Sequence, residues 1–98
     1  GWNFGPHDHE AKTVGWAIEQ LTQTWGSGAK WSLDHQQHPH EATYLKLDCS
    51  KAHSRLDWYP VWNIDRTIEK IVEWHKAYDQ GADMYQMTLS QINSFQTP

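Results

Sequence analysis

Ninety-eight residues hold one domain at most, and a domain of that size buries only a modest share of its surface. With 8 Lys and Arg against 12 Asp and Glu, a formal charge of −4 and no basic run, the chain offers no phosphate-tracking face, which argues against nucleic-acid binding. No apolar stretch approaches the roughly 18 residues of a membrane span, and the single cysteine, Cys49, excludes an internal disulfide framework.

The opening "GWNFGP" reads as a short buried strand ending at the Gly5-Pro6 turn signal, and "HDHEAK" as a polar loop. From Lys12 to Trp25 the apolar residues Val14, Ala17, Ile18, Leu21 and Trp25 share one helical stripe, and Gly26 and Gly28 stop it. "KWSLD" alternates with the period of a half-buried strand. "HQQHPHEA" is a polar loop, and "TYLKLD" alternates again, with Leu45 and Leu47 on one side.

Asp48 or Ser50 is placed to cap a short helix through about Leu56, and "DWYPVW" turns the chain because Tyr59 precedes Pro60. A second long helix follows Asn63, its expected N-cap. Its stripe is Ile64, Ile68, Ile71, Val72 and Tyr78, and Gly81 lies past its end. "MYQMTLSQINSF" is expected to form a last helical piece. The fold class is therefore α/β, a small mixed domain. Three short strands are thin for a freestanding sheet, so they look like additions to another core. The abrupt apolar start adds to this, and the expectation is a fragment of a longer chain. A lone cysteine suits a reducing compartment, here the cytoplasm.

Seven His and seven Trp stand out in a chain this short. His7, His9 and Glu10 lie in one cluster, and His35, His38, His40 and Glu41 in another. Imidazole and carboxylate groups ligate zinc, but the spacings match no closed pattern and HExxH is absent. Solvated loops are the preferred reading, with no metal ligand assigned. The tryptophans invite sugar stacking, yet large aromatics mostly pack. Trp16, Trp25 and Trp74 are assigned to packing, whereas Trp31, Trp58 and Trp62 are the candidates for a groove. Cys49 lacks a base partner, no G-x-S-x-G elbow occurs, and neither a phosphate loop nor GxGxxG is present. Taken alone, the residues carry no convincing machinery for chemistry.

Five segments nevertheless follow a known order: "WNFGP" at 2–6, "WGSGAKW" at 25–31, "PHEATYLKLDCSKA" at 39–52, "LDWYPVW" at 56–62 and "VEWHKAYDQGADM" at 72–84. With the later Gln91-Ile92, they resemble the C-terminal portion of the CDP-glucose 4,6-dehydratases. These are extended short-chain dehydrogenase/reductases of the NAD-dependent epimerase/dehydratase superfamily. Two departures are mild. The family tends to read Leu-Gly-Trp where this chain has Leu56-Asp57-Trp58, and Trp-Tyr where it has Trp74-His75.

The resemblance implies a chain longer than these residues, with an N-terminal Rossmann domain carrying the NAD loop and a Tyr-x-x-x-Lys pair; neither motif occurs here. Residues 1–98 would be the substrate-binding lobe, with no catalytic residue and no NAD-binding residue of its own. The implied lyase reaction oxidises C4 of CDP-glucose with NAD, loses water across C5–C6 and returns the hydride to C6. That gives CDP-4-keto-6-deoxyglucose and serves O-antigen sugar synthesis. Substrate contact is expected from Glu41 to ribose hydroxyls, from His40 to phosphate, and from Asn3 near the strand entry. The implied partners are CDP-glucose and the Rossmann domain, and unpaired strand edges would let copies form a homo-oligomer. Two other readings stay open: a freestanding sugar-binding or self-associating module without catalysis, and a His-based metal protein.

Overall fold

The computed structural model describes residues 1–33 and 47–97. Among them the chain forms four α-helices and a single 3₁₀ turn at Asp8–Glu10. The helices are α1 (Val14–Trp25), α2 (Ser50–Leu56), α3 (Ile64–Asp79) and α4 (Met84–Gln96).

Each long helix starts where the sequence places a short polar side chain. The Thr13 hydroxyl accepts from the Trp16 N–H at 3.1 Å, and the Asn63 side chain accepts from the Arg66 N–H at 2.8 Å. Asp83 accepts from the N–H groups of Tyr85 and Gln86 at 3.1 and 3.2 Å. These bonds satisfy donors that the first turn cannot pair internally. The ends are equally local. Gly26 and Gly81 take φ of 71° and 75°, a left-handed backbone that glycine adopts without a Cβ penalty. The Lys76 ammonium donates to the Trp25 carbonyl and so answers the C-terminal end of α1 from α3.

Helix α3 packs between α1 and α4. Its buried residues are Ile68 and Val72, and those of the other elements are Ala17, Cys49 and Ala52. The stripe of α1 is buried or half-buried along its length. That of α3 is not, because Ile71 and Tyr78 are exposed. A helix with two neighbours buries two flanks, so Thr67, Lys70 and Trp74 are also half-buried.

The α/β expectation is not met among the described residues: they form helices and no strand. The segments 1–6 and 30–33 are irregular. Their alternation supplies two faces, but a strand also needs a backbone partner. Segment 1–6 instead attaches through side chains to the start of α2. The "TYLKLD" strand falls at residues 43–48, most of which lie outside the described residues, as does Asp34.

Candidate functional site

The N-terminal segment is laid along the start of α2 by unlike contacts. The Lys51 ammonium lies 4.2 Å above the Trp2 ring and donates to the Gly1 carbonyl at 3.1 Å. The Asn3 amide donates to the Asp48 carbonyl at 3.2 Å. Phe4 meets Trp58 edge to face at 5.1 Å. At Gly5 an added Cβ would lie 3.3 Å from Leu47 Cδ1 and 3.7 Å from the Cys49 sulfur, so the missing side chain permits this close approach.

Beyond Gly5 the chain turns at Pro6 into the 3₁₀ turn, and an open cleft of about 920 Å³ separates that turn from α2. Pro6, His7, Asp8 and His9 form one wall. Leu47, Asp48, Cys49, Ser50 and His53 form the other. The His7 and His9 rings stack at 5.4 Å, and His53 stacks on Tyr59 at 4.7 Å. Glu10 closes the wall from behind, its Oε1 accepting the Ile64 N–H at 3.0 Å. Asp48 accepts from both the backbone N–H and the hydroxyl of Ser50. The Ser50 hydroxyl and then its N–H hold the Asp48 carboxyl below the ordinary 3.8.

Chemically, the walls offer imidazole nitrogens, which donate or accept, together with carboxylate acceptors and one hydroxyl. Among the described residues no group of three or more His, Cys, Asp or Glu is arranged to hold a metal ion. Nor do they suit a dinucleotide. Gly26 and Gly28 follow the C-terminal end of α1, where exposed carbonyls repel phosphate; a pyrophosphate loop needs glycines at a helix N-terminus.

Of the three expected substrate contacts, Asn3 is placed beside the cleft, its amide nitrogen engaged with Asp48. His40 and Glu41 lie outside the described residues, in the stretch of chain that leads into Leu47 on the cleft wall. Among the groove candidates, Trp62 lines a smaller cavity of about 330 Å³ between α3 and α4, together with Trp74, Ile92 and Phe95. Trp31 instead donates from Nε1 to Glu19 at 2.8 Å, and Trp58 packs between Phe4 and Phe95. The first His cluster, read as a solvated loop, forms a cleft wall. The motif itself is visible in the sequence, but its meeting with Asp48 and His53 is a tertiary fact.

No protein-family model matches the chain. Residue by residue, however, it is 48% identical over 95 residues to the CDP-glucose 4,6-dehydratase of Salmonella typhimurium strain LT2. The chain is similar to the C-terminal part of that enzyme. The match covers 97% of this chain and 26% of the relative, so the chain spans about a quarter of the length of the dehydratase it matches. The likeness drawn from "WNFGP", "PHEATYLKLDCSKA" and "LDWYPVW" is thus supported along nearly the whole sequence.

Proposed function

We propose that these residues form the substrate-binding lobe of a CDP-glucose 4,6-dehydratase, a lyase that converts CDP-glucose to CDP-4-keto-6-deoxyglucose and water. The observation that carries the reading is the 48% identity, which runs over 97% of the chain. The cleft between the His7–His9 turn and α2 supports it, since a nucleotide sugar presents hydroxyls and phosphate oxygens that imidazole and carboxylate groups can bond. The surface supports it as well. Thirteen large apolar side chains are exposed among the described residues, including Trp2, Phe4, Tyr78 and Tyr85, as expected of a lobe that another part of the protein covers.

The division of labour follows from what the residues can hold. NAD supplies the redox chemistry of such an enzyme, and on this reading cofactor binding and catalysis belong to a Rossmann domain of the full-length enzyme. This lobe binds and orients the nucleotide sugar. Glu41 bonds the ribose hydroxyls, His40 donates to the diphosphate, and Asn3 adds a further contact to the substrate.

The test is steady-state kinetics of the full-length enzyme carrying Glu41→Gln. A residue that binds substrate equally in the ground and transition states changes KM and spares kcat. The expected result is a KM for CDP-glucose raised about tenfold with kcat within about twofold. An unchanged KM would return Glu41 to the scaffold.

A further inference from the structure

The two walls of the cleft are fixed by different means. The α2 wall runs into a helix whose residue Ala52 is fully buried. The opposing wall is a three-residue 3₁₀ turn with no buried residue. Its backbone bonds are local: the Glu10 N–H donates to the His7 carbonyl at 2.9 Å, and the Ala11 N–H to the Asp8 carbonyl at 3.1 Å. Such bonds set the shape of the turn. The Glu10 side chain ties the turn to a distant helix. Its Oε1 accepts the Ile64 N–H at 3.0 Å, a contact that joins residues 54 positions apart. Ile64 is the first residue of α3, whose N–H has no acceptor within the helix. Asn63 answers the Arg66 N–H instead. A carboxylate at this end also meets the positive pole of the α3 dipole.

We infer that Glu10 is a positioning residue for the nucleotide-sugar cleft: by accepting the Ile64 N–H, it registers the His7–His9 turn against α3 and sets the distance of that wall from Asp48 and His53. The inference rests on the reading of this cleft as the nucleotide-sugar site. Glu10 lies behind the wall, and its effect on substrate passes through His7 and His9.

The experiment is steady-state kinetics on the full-length enzyme with CDP-glucose, using Glu10→Ala, Glu10→Gln, Ile64→Pro and the Glu10→Ala/Ile64→Pro pair. Glutamine keeps the acceptor oxygen. Proline removes the N–H from the other side, and the first position of a helix accepts it. Asn63 already has the extended backbone (φ −75°, ψ 174°) that a following proline requires. Glu10→Ala is expected to raise KM about fivefold while kcat stays within about twofold, and Glu10→Gln to restore KM. Ile64→Pro should raise KM alike, and the pair should be no worse than either single change, since both cut one bond.

A Glu10→Ala protein with a lower Tm and an unchanged KM would show a plain helix cap and overturn the inference. Where Glu10→Ala fails to fold, Ile64→Pro decides, and a wild-type KM there overturns it equally. Glu41→Gln separates the two claims. If it raises KM while Glu10→Ala and Ile64→Pro do not, the cleft keeps its function and Glu10 loses its role. If the Glu10 and Ile64 variants raise KM and Glu41→Gln does not, the positioning role stands and Glu41 leaves the site.

Discussion

Asp48 shows how one side chain serves both a helix and a cleft. Its carboxylate accepts from the Ser50 N–H at 3.0 Å, which closes the first turn of α2, while its backbone carbonyl receives the Asn3 amide at 3.2 Å. The sequence offered Asp48 or Ser50 as the cap. In the structure Cys49 occupies the cap position and Asp48 bonds from one residue earlier. Because the Ser50 bonds favour the charged form, the Asp48 carboxyl is held below 3.8. A depressed carboxylate stabilises the fold above its unfolded value and loses that contribution as pH falls through its folded value. Asp48→Asn should therefore lower Tm at about pH 6, and the gap to the parent protein should close as the pH is taken from about 4 downward. Thermal unfolding of both proteins across that range checks the sign. A gap that widens on acidification would show that the carboxylate is not what stabilises α2.

At the scale of elements, local chemistry wrote the helices and tertiary geometry wrote the site. Asn63 announced a helix start by residue type and Gly26 and Gly81 announced ends, because capping involves only neighbours in sequence, while Thr13 and Asp83, caps of the same kind, went unread. The strands were less legible. The alternation in "KWSLD" fits a pleated face, but Trp31 spends its N–H on Glu19 of α1 and no ladder forms among the described residues. Pairing depends on residues far away in the chain, which periodicity does not reveal. The Glu10–Ile64 bond was invisible for the same reason, although "HDHE" itself drew notice.

The end of α2 is closed by a residue other than glycine. Asp57 stands where the resemblance implied a glycine, and it adopts φ 52°, ψ 35°, the left-handed region. The Trp58 N–H then reaches back to the Ala52 carbonyl at 3.2 Å, closing the helix. Aspartate tolerates this backbone better than most residues, though less well than glycine. Asp57→Gly should raise stability by about 0.5 kcal/mol, an amount tempered by the freer unfolded chain. Denaturant midpoints would register it, and a fall in midpoint would mean that the Asp57 side chain contributes a stabilising contact.

Across the whole molecule, the apolar surface is poorly matched to the core. Among the described residues the buried ones are Ala17, Cys49, Ala52, Ile68 and Val72, all small or of middle size, while Trp2, Phe4, Tyr78 and Tyr85 are exposed. Hydrophobic burial of this extent contributes little net stability to a domain. The proposed lobe, covered by further protein, would account for the imbalance and would fit a relative about four times as long. The most direct test assays the 98-residue chain beside the full-length chain, each with CDP-glucose and added NAD, for formation of CDP-4-keto-6-deoxyglucose. The account predicts turnover by the full-length chain and none by residues 1–98. Turnover by the purified 98-residue chain, or none by the full-length chain, would contradict it.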